Sequence, residues 1–125
     1  MSQFLPDTNV FSKIFGNNLL VKQFVESLDA AIDATIYIEC LQGSKSNREK
    51  RVIEKYLMRF PLLPITSASS IRAIELIRNY SNSHGLMLPD ALIAATALEN
   101  DLAVVTYNID DFKFIQGLKY LEPAV

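Results

Sequence analysis

The stretch Leu88-Pro89-Asp90-Ala91-Leu92-Ile93-Ala94-Ala95-Thr96-Ala97 limits the possible folds more than any other part of the chain. Proline suits the first helical position, where its missing N–H costs nothing. The helix that follows is apolar on nearly every face, through Leu92, Ile93, Ala94, Ala95, Ala97 and Leu98. A helix of that kind belongs in an interior, covered on all sides. Leu102-Ala103-Val104-Val105-Thr106 comes next, a continuous apolar strand of the type buried on both faces of a parallel sheet. Asp90 therefore stands at the mouth of a core. Two readings fit it: an acid favoured by the helix dipole, worth roughly 0.3–1 kcal/mol, or a metal ligand.

The rest of the chain alternates strand and helix. Ser2 to Leu5, Ala30 to Ile32 and Leu62 to Ile65 read as strands, and Lys119 to Leu121 as a short edge strand. Asp7-Thr8-Asn9 opens a helix through Phe15, with side chains able to cap it. Leu19 to Leu28 carries Leu20, Phe24, Val25 and Leu28 on one stripe. Asp33 caps a helix from Ala34 to Gln42, ended by Gly43. Asn47 to Phe60 is amphipathic, with Val52, Ile53, Tyr56, Leu57 and Phe60 inside. Ser67 to Tyr80 turns Ile71, Ile74 and Ile77 inward, and Ser81 to Gly85 is a loop. This alternation predicts a mostly parallel sheet covered by helices on both faces. Ligands of such sheets bind beyond the carboxyl ends of the strands. Asp7 follows the first strand, and Asn108, Asp110 and Asp111 follow the strand ending at Thr106, so both groups belong to one edge.

A chain of 125 residues is expected to form a single domain, residues 1–125. No apolar run approaches 18 residues, which excludes a helical membrane span. The start Met1-Ser2-Gln3-Phe4-Leu5-Pro6-Asp7 shows neither a cationic segment nor a long apolar one, so no signal peptide is expected and the expected location is the cytoplasm. The single Cys40 cannot form an internal disulfide and reads as core filler. One Cys and one His (His84) cannot build a Cys/His metal site, so any ion must be held by oxygens, which favours Mg²⁺ or Mn²⁺ over Zn²⁺. The net charge of −2 does not by itself announce a nucleic-acid binder. Lys45, Arg48, Lys50, Arg51, Lys55 and Arg59 nevertheless fall close together. They form either a solvated helix face or a basic rim for a phosphate backbone.

The acids carry the chemistry. Asp7 is either a helix cap or a central metal ligand. Glu39 lies among Ile36, Tyr37, Ile38, Cys40 and Leu41 with no Lys or Arg three or four residues away. An acid in that setting is paired, functional, or reaching off the helix edge to water. Asp110 and Asp111 suit a turn. Two carboxylates about 4 Å apart repel by roughly 4 kcal/mol at an effective dielectric of 20. A divalent cation removes that cost, and its remaining positions hold water and a phosphate oxygen. That is a layout for hydrolysing a phosphodiester, in which Glu39 or Asp111 orients the water or takes its proton.

In four stretches the chain resembles the PIN-domain family, in particular its small VapC-like ribonuclease toxins. Leu5-Pro6-Asp7-Thr8-Asn9-Val10-Phe11 is similar to the opening strand-then-Asp-Thr-Asn motif. Ile38-Glu39-Cys40-Leu41-Gln42-Gly43 is similar to the Glu-Leu-x-x-Gly helix, with Cys40 and Leu41 displaced from the usual pattern. Pro89 to Ala97 matches the third motif closely. Val105-Thr106-Tyr107-Asn108-Ile109-Asp110-Asp111-Phe112, followed by Gly117-Leu118, matches the fourth. The resemblance implies a three-layer α/β/α sandwich with a central, mostly parallel sheet. It implies a Mg²⁺- or Mn²⁺-dependent endoribonuclease whose active acids are Asp7, Glu39, Asp90 and Asp111. Asp7 and Asp90 would touch the metal, with Thr8, Thr106 and Asn108 supporting them. It further implies an RNA substrate, a homodimer and a cognate antitoxin that occludes the site, with no membrane partner. Pro6 stands where an apolar residue is usual, and Tyr107 where many relatives carry Arg. Asn108 is an amide at a position where some relatives place the fourth acid. Asp111 then becomes the candidate for that role and Asp110 the fallback.

Two other readings fit the same residues. One is a PIN fold that has lost catalysis and serves as a binding module. The other is a different phosphate chemistry on a doubly wound sheet, such as a phosphohydrolase or receiver-like domain. The latter lacks the acid pair expected after the first strand.

Overall fold

The computed structural model describes residues 2–125; Met1, where the expected leaderless start begins, lies outside them. In chain order the elements are β1 (Phe4–Pro6), α1 (Thr8–Phe15), α2 (Leu19–Ser27), β2 (Ile32–Asp33), α3 (Ala34–Gln42) and α4 (Asn47–Leu57). There follow β3 (Leu62–Leu63), α5 (Ser67–His84), α6 (Leu88–Glu99), β4 (Ala103–Val105) and β5 (Lys119–Leu121). A short 3₁₀ turn, Ile109–Asp111, lies between β4 and β5.

The strands pair in parallel as β1–β4–β5 and as β2–β3. A parallel bridge from Phe4 to Ala30 joins the two groups. The resulting order is β3-β2-β1-β4-β5. The chain leaves β1 for one side of the sheet and later returns to the other, so β1 and β4 flank the point where the strand order reverses. Beyond the carboxyl ends of two such strands, open α/β sheets leave a crevice.

Neighbouring residues of a strand point to opposite faces. Val104 and Val105 are both fully buried, so both faces of the sheet are covered, and the molecule has the three layers expected. The apolar character of α6 has the same cause: Ala91, Ile93, Ala94, Ala95, Thr96 and Ala97 are all buried. The edge strand β5 is exposed along its length. Pro6 is tolerated because it is the last residue of β1, where only the end of the ladder loses a donor.

Several local expectations need correction. α6 begins at Leu88, which puts Pro89 at the second helical position. α4 ends at Leu57, short of Phe60. α5 runs on through Ser81, Asn82, Ser83 and His84, where the sequence predicts a loop. These polar residues lie on or near the surface and leave the helix unbroken. It stops at Gly85, whose φ of 71° closes the helix in the left-handed region.

The inward face of α5 is also different. Ser69, Ala73 and Leu76 are buried, whereas Ile71 and Ile74 are 60% and 57% exposed. Leu20 on α2 and Val52 on α4, both expected inside, are exposed as well. On α5 the face packed against α6 carries Ser69, Ala73 and Leu76, and the isoleucine stripe faces out; on α2 and α4 the covered positions are Val21, Val25, Ile53 and Leu57.

Candidate active site

Asp7 occupies the end of β1. Its backbone N–H donates to the Val105 carbonyl (2.8 Å), which fixes it beside the end of β4. The residue is only 7% exposed. Oδ1 accepts from the Thr8 backbone N–H at 2.8 Å, so Asp7 also caps α1. Oδ2 accepts from the Thr106 hydroxyl at 3.1 Å and from Asn9 Nδ2 at 3.3 Å. The cap reading and the site reading of Asp7 are compatible: one oxygen caps the helix while the other is held by polar groups from across the crevice.

The Thr106 hydroxyl is saturated. It donates to Asp7 and accepts from Asn9 Nδ2 and from the Asn108 N–H, both at 3.0 Å. The Asn9 Oδ1 in turn accepts from the Tyr107 N–H at 3.2 Å. Asn9 thus ties α1 to the end of β4. The sequence reading credited Asn9 only with capping; its place in the Asp-Thr-Asn run was the available signal. Asn108 contributes here through its backbone N–H, and its side chain makes no cap bond to the 3₁₀ turn.

Glu39 projects from the middle of α3 and is partly buried. The Thr8 hydroxyl donates to its Oε1 at 2.6 Å, joining α1 to α3. Its neighbour Cys40 is buried, and burial, reinforced by the charges of Glu39 and Asp7, pushes its thiol up to about 12. That fits core filler and not a nucleophile.

Asp90 lies in the first turn of α6, half-buried. Burial raises its carboxyl to about 7, helped by the charges of Asp7, Asp111 and Glu39. Asp7 is raised as well, by burial above all, opposed by its Thr8 and Thr106 hydrogen bonds and assisted by Glu39 and Asp111. The four acids proposed from sequence therefore lie within each other's field. Asp111 is exposed and takes part in that field. Asp110 is exposed too, but is tied to Lys113 at 2.8 Å.

One further acid went unrecognised as part of this group. The sequence predicts Asp33 as the cap of α3, and its Oδ1 does accept from the Ile36 N–H at 2.8 Å. It is also fully buried, and burial lifts its carboxyl to about 6, with Glu39 and Asp7 adding to the effect. Only the adjacency of β1 and β2 puts it there. No cation appears among the groups acting on Asp7, Asp33 or Asp90.

Uncompensated carboxylates around a crevice are the donor set of a hard divalent cation. Among the described residues, no three Asp, Glu, His or Cys side chains converge tightly enough to cage an ion alone.

The basic residues lie at the margins. Lys45, Arg48, Lys50, Arg51, Lys55 and Arg59 are all exposed. Arg59 is paired with Glu26 at 3.3 Å. Lys13 sits 4.7 Å over the ring of Tyr107, beside Asn108. Among the described residues, no helix is long and apolar enough to cross a membrane.

Comparison with known proteins agrees with this architecture. The PIN domain family model matches residues 4–117. Ribonuclease VapC10 of Mycobacterium tuberculosis is 36% identical over 80 residues, a stretch covering 63% of this chain and 60% of that protein. Ribonuclease VapC1 of Rickettsia felis is 29% identical over 123 residues, covering 92% of each. A toxin–antitoxin complex from Klebsiella pneumoniae superposes with a TM-score of 0.79 at 29% identity, over 93% of this chain and 95% of that one. With its strand order, its apolar central helix and its acids gathered at the sheet's carboxyl edge, this chain belongs to the PIN-domain family.

Proposed function

We propose that this protein is a Mg²⁺- or Mn²⁺-dependent endoribonuclease that hydrolyses RNA phosphodiester bonds as the toxin of a toxin–antitoxin pair. The observation that carries the proposal is the mutual field of Asp7, Glu39, Asp90 and Asp111 at the carboxyl edge of the sheet, with no cation to offset it. Relatives named as ribonucleases and a neighbour described as a toxin–antitoxin complex support it.

Asp7 and Asp90 would hold the ion, with Asp7 oriented by Thr8, Thr106 and Asn9. The bound ion would polarise the phosphate and lower the pKa of the attacking water. Thr8 holds Glu39 Oε1, which leaves Oε2 to take the proton from that water. Asp111, exposed at the rim, is the second acid able to orient it. Lys13, at the end of α1, and the exposed cations of α4 would steer the RNA backbone to an otherwise acidic edge.

The partners follow from the uncovered apolar faces. Ile71, Ile74, Met87 and Leu88 crowd the α5–α6 side and are 57–71% exposed, a surface suited to a second copy of the chain. Leu19, Leu20 and Val52 are exposed across α2 and α4, beside a groove lined by Phe15, Ile53 and Tyr56. That groove suits the apolar side of an antitoxin helix.

The test is cleavage of a mixed-sequence RNA in Mn²⁺ by the wild type and by Asp7→Asn. The variant keeps the side-chain shape and the Oδ1 cap on Thr8 but loses the charge and the Oδ2 acceptor, and cleavage should fall at least 100-fold with the far-ultraviolet spectrum unchanged. Cleavage at the wild-type rate by the variant refutes the site. A wild type that binds no Mn²⁺ in a calorimetric titration favours the inactive binding module.

A further inference from the structure

Behind the four acids of the site lies a second polar layer that the proposed reaction does not use. Asp33 is fully buried and Thr96 is 1% exposed. They come from different elements, the end of β2 and the middle of α6. The Thr96 hydroxyl lies close enough to Asp33 to act on its carboxyl. Yet Asp33 Oδ2 and Thr96 Oγ1 are both without a hydrogen-bond partner. A buried polar atom left unmatched is destabilising, and here two such atoms belong to side chains that act on one another. A carboxyl oxygen and a hydroxyl oxygen satisfy each other with one hydrogen, whichever of them carries it.

We propose that Asp33 and Thr96 form a buried tie between α3 and α6, and that this tie positions Glu39 relative to Asp90. The inference rests on the nuclease reading above. Its physical basis is leverage. Glu39 stands six residues along α3 from Asp33, and Asp90 six residues along α6 from Thr96, each about 9 Å from the tie at 1.5 Å per residue. Both stretches are unbroken helix, from Ala34 and from Leu88 respectively. The tie is therefore a shared pivot, and slack in it reappears as a change in the distance between two acids of the site.

The groups that face Asp33 are Asp7 from the end of β1, Glu39 from its own helix, Thr96 from α6 and the Ile36 N–H. With two acids and no cation among them, the neutral carboxylic acid becomes accessible near pH 6. In that form Asp33 donates to Thr96. In the ionised form it accepts from it.

Two measurements test the tie. The first is a double-mutant cycle in urea unfolding with Asp33→Ala and Thr96→Val. The tie predicts that the double variant loses less than the sum of the single losses; additive losses overturn it. The second is calorimetric titration with Mn²⁺. Thr96→Val leaves the cap of α3 intact and should weaken Mn²⁺ binding about 10-fold, the scale expected when a residue that supports metal ligands is removed. Asp33→Asn can still accept from Ile36 and donate to Thr96, so it should bind within about 2-fold of wild type. Equal Mn²⁺ binding by Thr96→Val and wild type refutes the positioning role. Failure of the nuclease reading looks different: the wild type itself then binds no Mn²⁺.

Discussion

Replacing Asp90 by Asn should make the metal-free protein more stable, and most of all at high pH. Burial and the surrounding acids raise the Asp90 carboxyl from 3.8 to about 7, which is worth ~4 kcal/mol before screening. Asp90 is only half-buried, so solvent reduces the effect to about 1–2 kcal/mol. The dipole of α6 favours the charged form and returns roughly 0.3–1 kcal/mol of that. The net expectation is a gain of ~1 kcal/mol at pH 8. For a chain of this length that is about 4 °C in Tm. The sign follows from proton linkage. The folded pKa is raised, so the unfolded chain gives up the Asp90 proton at a lower pH than the folded one does. Wild-type stability therefore falls as pH rises from about 4 to about 7, and the Asp90→Asn protein lacks that term. Thermal unfolding followed by circular dichroism in EDTA at pH 5 and pH 8 reads the difference. The gap should be less than half as large at pH 5 as at pH 8. Adding Mn²⁺ at pH 8 should then stabilise the wild type alone. An Asp90→Asn protein less stable than wild type at pH 8, or a gap independent of pH, refutes the electrostatic account of the site.

With Asp7 and Asp90 holding the ion as proposed, protons would compete with it, so Mn²⁺ affinity should fall steadily between pH 8 and pH 6 in calorimetric titrations; a flat profile contradicts this. Thr106→Val removes one donor to Asp7 and leaves Asn9 Nδ2 and the Asn108 N–H without their shared acceptor. It should cost about 1–3 kcal/mol in urea unfolding, with a larger loss in cleavage than in stability. Gly85→Ala meets no atom within 4 Å, so its cost is backbone strain at φ 71° alone. That cost should be about 1–2 kcal/mol by the same unfolding assay, with Mn²⁺ binding unchanged.

The central features were legible because their signals are local. Val104 and Val105 sit in an unbroken apolar run, and the residues of α6 are apolar on every side. Either pattern alone implies burial on two faces, and together they require a covered parallel sheet. The acids Asp7, Glu39, Asp90 and Asp111 were legible as candidates because each departs from its apolar or turn setting, and because their motifs resemble those of one family. The outward faces of α2, α4 and α5 were misread for the opposite reason. Ile71 and Ile74 have the spacing of a buried stripe, but the partner helix determines which stripe is covered, and α6 accepts Ala73 and Leu76. The extension of α5 to His84 was missed because Ser and Asn are weak helix formers, and packing overrides that preference.

The layering, the strand-and-helix order and the preponderance of acids over other ligand types can all be read from the one-dimensional chain. These depend on hydrophobic pattern and residue chemistry, which the chain carries position by position. Tertiary structure alone decided which acids share a field and how they are held. Asn9 meets Thr106, Thr8 meets Glu39, and Asp33 lies in the field of Asp7 because β1 pairs beside β4 and bridges to β2. Strand adjacency joins residues far apart in the chain, and in a closed core that adjacency sets which charges are near enough to feel one another.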